Sequence, residues 1–349
     1  MHRRRVLVVI AVALMVTIAV FTNLTMYQRM TSVFSGLLLG RNQSCLCPFN
    51  GTLHNLCYAH HNRTGKPFHC RWLDILKRLQ LLDSGKNYST IPVTAKDAVF
   101  VCAASDNHYS ELRVAIATLQ GQRPRARIIV YDLGLKGSQV KEIKRFCQIE
   151  FRTFNFARYP KYVKNLFEYR WKPLVIAEVL TEFPALWWMD SSVRWSSGEF
   201  KPIFQRMRRT EELSILLFDH AGHSVFATTY PAMFTYFPVD QEIMKDVRML
   251  GANLMLIKRS NASREILKWQ VLCALEKECM APSKAELYCV WNPKDSWKTY
   301  AKCHRFDQSS LNILLASVHN FNISFYSNPN YFSNITRDNG ANGAEPELC

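Results

Sequence analysis

Asp106, Asp132, Asp190 and Asp219 each stand within two residues of the end of a short apolar run. A carboxylate at such a place can hold a hard cation whose shell is completed by phosphate oxygens. It can equally cap the loop that follows. Asp190 has the richest surroundings, because Ser191, Ser192 and Arg194 come directly after it. If the strand continues, alternation puts Asp190, Ser192 and Arg194 on one face. Further on, His304 precedes Asp307 and Gln308, which open an apolar helix running to Val318. Asp307 reads as a catalytic carboxylate or a helix cap, and His304 as a metal ligand or a base. His220 and His223 flank Gly222 and carry little signal.

The elements that must position these groups follow from hydrophobic period. Ala98–Ala103, 127–132, 150–156, Ala185–Met189 and Leu213–Phe218 read as strands, and Tyr109–Gln120, Ser138–Cys147 and Phe167–Phe183 as helices, the last interrupted near Pro173. Strand–helix alternation means crossovers and a mostly parallel sheet. In such sheets ligands sit beyond the carboxyl ends of the strands, which is where the aspartates fall. No Gly-x-Gly-x-x-Gly or Walker loop follows a strand, and no Gly-x-Ser-x-Gly elbow is present. Dehydrogenase, P-loop and α/β-hydrolase readings are thereby disfavoured. In a strand, Trp187 and Trp188 point to opposite faces, so core packing is expected for at least one. The stripe Ile266, Leu267, Trp269, Val271 and Leu272 reads as core.

The chain has 349 residues, 48% of them hydrophobic, with a formal charge of +16. That composition excludes a disordered or collagen-like chain. The basic charge suits an anionic partner, and no nucleic-acid partner is expected. Arg3–Arg5 precede an apolar run at 6–21, and no charge occurs until Arg29. The span is long enough to cross a bilayer, and the flanking positive charge stays cytoplasmic. The expected organisation is a cytoplasmic tail at 1–5, a signal anchor at 6–28 and a lumenal stem at 29–95. A catalytic domain at 96–335 and a C-terminal tail at 336–349 follow. Sequons occur at Asn23, Asn42, Asn50, Asn62, Asn87, Asn261, Asn322 and Asn334, the first too close to the membrane for use. They fit the lumen of the secretory pathway.

Eleven cysteines fit an oxidising compartment. Cys45, Cys47, Cys57 and Cys70 form one cluster and Cys273, Cys279, Cys289 and Cys303 another. Neither has zinc-ligand spacing, so disulfides within each cluster are expected. An odd count leaves at least one thiol over, with Cys102, Cys147 and Cys349 as candidates.

Five segments carry a resemblance: Asp106-Asn-His-Tyr-Ser-Glu-Leu112, Val130-Tyr-Asp-Leu-Gly134, Tyr169-Arg-Trp-Lys-Pro173, Leu186-Trp-Trp-Met-Asp-Ser-Ser-Val-Arg194 and His304-Arg-Phe-Asp-Gln-Ser-Ser-Leu-Asn312. Their order over about 97–330 is similar to nucleotide-diphospho-sugar transferases of the GT-A type, in particular the family-8-like branch. It resembles more closely a little-characterised group of single-pass type II membrane proteins in that superfamily. The resemblance implies a GT-A-like α/β fold with a mostly parallel open sheet. It implies a nucleotide-sugar donor, a glycan or glycoprotein acceptor and a divalent cation such as Mn2+. Asp190 takes the place of the first carboxylate of the superfamily's Asp-x-Asp motif, with His304 a second metal candidate. The chain departs from the pattern in reading Asp-Ser-Ser, without the second carboxylate. Lys172, beside Arg170, maps onto the basic helix residue that faces the diphosphate. Ser192 and Arg194 adjoin the same anion, Asp106 falls where the nucleoside binds, and Asp307 and Gln308 lie near the sugar or acceptor. The expected function is a Golgi-type glycosyltransferase. The alternatives are an inactive glycan-binding protein on a degenerate transferase fold, and an adhesion module.

Overall fold

The computed structural model describes residues 45–82, 93–337 and 343–349. The expected anchor at 6–28 and the sequons Asn23, Asn42 and Asn87 lie outside those residues. Among the described residues no helix is long and apolar enough to cross a membrane. The chain divides into two units, Met1–Leu56 and Cys57–Cys349.

The described part of the first unit is a hairpin of β1 (Leu46–Phe49) and β2 (Thr52–Asn55). Its turn is Asn50-Gly51, both at positive φ, 50° and 78°. Asn-Gly tolerates those angles at little cost, which is why the pair makes two-residue hairpins.

In the second unit, after a short ladder of Ala59–His60 with Arg63–Thr64, α1 (Leu73–Arg78) is followed by alternating β3 (Ala98–Ala104), α2 (Tyr109–Gln122), β4 (Ile128–Asp132), α3 (Gly137–Ile143) and β5 (Ile149–Thr153). Next come α4 (Trp171–Glu182), β6 (Ala185–Met189), β7 (Val193–Trp195), β8 (Ile215–Leu217), β9 (Leu254–Lys258), α5 (Asn261–Leu275), α6 (Phe306–Val318) and β10 (Ser333–Ile335). The main sheet has the order β8-β9-β6-β3-β4-β5. The neighbours from β6 to β5 pair in parallel, while β9 pairs antiparallel with both β6 and β8. The sheet is therefore mixed, with one reversed strand inside it. Every residue of β3 is buried, as expected of a strand covered on both faces.

The two tryptophans divide between those faces, and both are core. Trp187 packs on Phe200 at 4.9 Å and on Phe218 at 5.2 Å. Trp188 faces Trp171 of α4 at 5.9 Å. The helix expected from Phe167 starts only at Trp171, because Leu166–Glu168 forms a 3-10 turn and Tyr169 is left-handed, φ 52°. Pro173 does not interrupt α4. It sits in the first turn, where an N–H has no intrahelical partner to lose.

Both flanks of the expected catalytic domain need correction. Residues 57–82 are no separate stem: Phe68 packs on Tyr236 at 5.1 Å and Trp269 at 6.0 Å, and the Trp72 indole donates to Glu276 at 3.1 Å. The end of the chain is no free tail either. Cys349 is disulfide-bonded to Cys147, so these two are not spare thiols. Cys147 N–H also donates to Glu347 O, at 2.9 Å. The other bridges are Cys273–Cys279 and Cys289–Cys303, Cys45, Cys47, Cys57 and Cys70 are all disulfide-bonded, and Cys102 is a buried free thiol.

Candidate active site

Parallel β3, β4 and β6 end at one edge of the sheet. Because β9 runs the other way, its entrance, Gly251–Asn253, arrives at that same edge. The Asp190 N–H donates to Asn253 O at 2.8 Å, which fixes the strand end. Gly251 keeps this approach open: a Cβ would lie 2.4 Å from Asn253 Oδ1 and 3.0 Å from Asp219 Cβ, so the Asn253 side chain would have to move.

The centre of the edge is a charged cluster. Lys172, in the first turn of α4, places Nζ 3.0 and 3.2 Å from the two Asp190 oxygens, 3.3 Å from Asp307 Oδ2 and 3.2 Å from Ala252 O. The Trp188 indole donates to Asp190 Oδ1 at 2.8 Å. Lys172 and Asp307 are buried. Burial works against the lysine charge, but the two carboxylates outweigh it and hold the ammonium protonated. Burial pushes the Asp307 carboxyl up to about 6; Lys172 opposes the shift and Asp190 adds to it. Asp307 Oδ2 makes no hydrogen bond of good geometry.

Two cavities meet over this cluster, and Tyr169, Asp190 and Arg337 line both. One, of about 550 Å3, opens over the ends of β3 and β4 and is walled by Ser105, Asn107, Glu111, Leu133, Phe167 and Ser192. Its wall is braced by Glu111, which accepts from Ser191 Oγ at 3.0 Å. The other, of about 450 Å3, holds Lys172, Asn253, Tyr288, Trp291, Arg305, Asp307 and Gln308. Tyr288 is 85% exposed at its rim.

The sequence-derived candidates separate cleanly. Asp190, Lys172, Asp307, Gln308 and Ser192 come together at the two cavities. Arg170, Arg194, His304 and Asp106 do not. Arg170 is fully buried, pairs with Glu168 and donates to Ala274 O in the last turn of α5 and to Glu276 O and Lys277 O just after it. Residues two apart on a helix face nearly opposite ways, so Arg170 and Lys172 cannot share a site. Arg194 turns under the site and donates to Ser191 O at 2.7 Å and Glu111 O at 3.3 Å. His304 accepts from Tyr230 N–H at Nδ1 and donates from Nε2 to Met280 O, both at 3.1 Å. Burial depresses its pKa to about 3, so it is a neutral structural residue. Asp106 points to the start of α3, bonded to Lys136 at 2.9 Å and Gln139 at 2.8 Å; its neighbours Ser105 and Asn107 line the cavity instead.

Two arginines are the groups the sequence reading missed. Arg337 is carried into place by β10, which pairs antiparallel with β7, the strand leaving Asp190–Ser192. Thr336 N–H donates to Ser192 O at 2.9 Å beside it. Arg305 precedes α6. Neither is ion-paired to a carboxylate among the described residues, and the charge of Arg337 helps to lower the Arg305 pKa, chiefly depressed by burial. Two residues lining the second cavity, Tyr169 and Phe306, hold positive φ, 52° and 43°. Each costs about 1–3 kcal/mol, and such strain concentrates where side-chain placement matters.

A divalent cation does not fit this donor set. Among the described residues no group of three or more metal-ligating side chains converges. Both His304 nitrogens are spent on backbone. The space between Asp190 and Asp307 already holds a cation, Lys172.

Residues 44–177 match a family described as a protein of unknown function, DUF1647. No curated protein matches the chain in sequence. The fold is similar to the galactosyltransferase LgtC, solved with donor and acceptor sugar analogs: 16% identity, 62% of this chain and 69% of that one, TM-score 0.34. It is similar to mouse xyloside xylosyltransferase 1, with 10% identity, 67% and 85% coverage and TM-score 0.39. A third is core-mannan synthase A of Aspergillus fumigatus in an Mn/GDP form, with 9% identity, 84% and 91% coverage and TM-score 0.39.

Proposed function

We propose that the protein is a glycosyltransferase that moves a sugar from a nucleotide-sugar donor to a glycan or glycoprotein acceptor, on the lumenal side of a Golgi-type membrane. The observation that carries this is the pair Arg305 and Arg337. Two guanidinium groups without carboxylate partners among the described residues, Arg337 on the wall shared by both cavities and Arg305 on the wall of the second, suit an anion that spans both. A nucleoside diphosphate sugar has that form. Its base suits the cavity over β3 and β4, where Phe167 is 67% exposed and offers a ring face. Its diphosphate lies at the arginines and its sugar in the cavity of Asp307 and Gln308. Tyr288 and Trp291 at that rim offer flat apolar faces to the C–H side of an acceptor sugar. In transfer, the bond from the anomeric carbon to the diphosphate oxygen breaks with its electrons leaving on the nucleoside diphosphate. The acceptor hydroxyl bonds to that carbon, and its proton passes to the departing diphosphate oxygen. Cations fixed where the leaving charge develops are the main stabilising term.

The compartment is part of the same proposal. Ten of eleven cysteines in disulfides suit an oxidising lumen, and sequon residues Asn50, Asn62, Asn322 and Asn334 are exposed. Glycosidase digestion of full-length protein from secretory membranes should remove several glycans; a glycan-free protein there would remove the lumenal assignment.

The catalytic test uses detergent-solubilised full-length protein with UDP-, GDP- and CMP-sugars and follows nucleotide release. One donor should be bound and hydrolysed. Asp190→Asn loses the partner that positions Lys172 and should reduce turnover about 100-fold or more while remaining folded. Transfer by Asp190→Asn at the wild-type rate rules out this strand end as the reactive site. A wild type that neither binds nor cleaves any donor leaves glycan binding as the better reading.

A further inference from the structure

The cluster raises a question about charge that the donor reading does not answer: which cation serves the two carboxylates? We infer that Lys172 permanently occupies the cation position between Asp190 and Asp307, so that the site takes its nucleotide without a divalent metal. Three arrangements support this. The ammonium lies within 3.3 Å of both Asp190 oxygens, Asp307 Oδ2 and Ala252 O, so its charge is turned inward onto the two carboxylates. Its ring neighbours Trp188 and Tyr169, at 5.5 and 5.6 Å, close the remaining directions. The buried stem leaves it little room to swing aside. Asp-Ser-Ser lacks the second carboxylate of a metal shell, and the oxygen-rich surroundings a hard cation needs are not built elsewhere among the described residues. Charge toward the diphosphate then comes from Arg305 and Arg337, which sit on the cavity wall.

The first arm of the test needs no nucleotide. Mn2+ is titrated into the full-length protein and followed by electron paramagnetic resonance of free Mn2+. Wild type and Lys172→Arg should show no stoichiometric site below about 1 mM. Lys172→Ala vacates the position between the carboxylates and should gain one site at least about tenfold tighter. Stoichiometric binding to wild type at micromolar Mn2+ overturns the inference, and does so even if Lys172→Ala fails to fold. The second arm rests on the proposed donor reading. Nucleotide affinity, measured with UDP, GDP and CMP, should agree within about twofold between EDTA and Mn2+. An affinity that appears only with Mn2+ overturns the inference. If no nucleotide binds in either condition, the donor reading fails, and the Mn2+ titration still decides this one.

Discussion

Replacing Arg170 separates a structural cation from a substrate-binding one. The side chain is fully buried and its guanidinium serves Ala274 O in the last turn of α5 and Glu276 O and Lys277 O just after it, of which Glu276 O also accepts from the Cys279 N–H. It also neutralises Glu168 and lies 4.9 Å from the Tyr162 ring. In Arg170→Met, Ala274 O and Lys277 O keep their burial and lose this donor, each at about 1–3 kcal/mol, Glu276 O keeps only the Cys279 N–H, and Glu168 loses its countercharge. Partial relaxation and residual water limit the sum, so the expected loss is about 3–5 kcal/mol, the range for breaking a buried pair. For a domain of this size that lowers Tm by roughly 10 °C. Arg170→Lys keeps the charge but cannot span three carbonyls, and should fall between. The assay is thermal unfolding by intrinsic fluorescence of the full-length protein, paired with nucleotide affinity at a temperature where both variants are folded. Affinity should stay within about twofold of wild type, since Arg170 lines neither cavity. An Arg170→Met protein as stable as wild type with affinity lost tenfold would refute the structural assignment and return this arginine to the diphosphate.

Three further expectations concern Asp307 and the C-terminal bridge. Asp307 titrates near 6; above that pH the cluster of Lys172, Asp190 and Asp307 carries one net negative charge, and below it none. A nucleotide sugar, whose diphosphate charge is constant over this range, should bind roughly tenfold more tightly at pH 5 than at pH 7.5, and Asp307→Asn should remove the dependence. A raised folded pKa has a matching sign for stability: the contribution of Asp307 is full below its ordinary value of 3.8 and is lost as pH rises through about 6. Removing the Cys147–Cys349 bridge by Cys349→Ser should cost about 2–5 kcal/mol in thermal or urea unfolding under oxidising conditions, and an unchanged midpoint would show that the bridge constrains nothing.

The apolar runs made the strands legible, and the rule that ligands gather at strand ends led to Asp190. The strand Leu254–Lys258 was not among those read from period, although it is as apolar as its neighbours, and nothing in its composition says that it runs backwards and delivers Gly251–Asn253 to the site. Nor could residue type separate Lys172 from Arg170, which share a helix turn; only the start of α4, displaced by the left-handed Tyr169, decides which faces the cavity. His304 was ambiguous because burial, not identity, makes a histidine neutral. Arg305 and Arg337 lie in irregular chain, where cations look like ordinary solvated surface. They become visible only when β10 pairs with β7 and no carboxylate is found opposite. The segment at 57–82 was misread because its cysteines and turns obscured Phe68 and Trp72, whose burial joins it to the domain.

The bridge from Cys349 to Cys147 also shapes how the protein bears load. Tension applied at residue 349 enters the fold at Cys147, just before β5, and bypasses everything between. The strands β6, β8 and β9 and the cluster around Asp190 lie inside that closed loop. A pull between the two ends of the chain therefore cannot extend the reactive half until the bond is reduced. The 202-residue separation then releases about 70 nm of contour length, at roughly 3.5 Å per residue. The C-terminal cystine thus acts as a mechanical fuse for the half of the domain that carries the site.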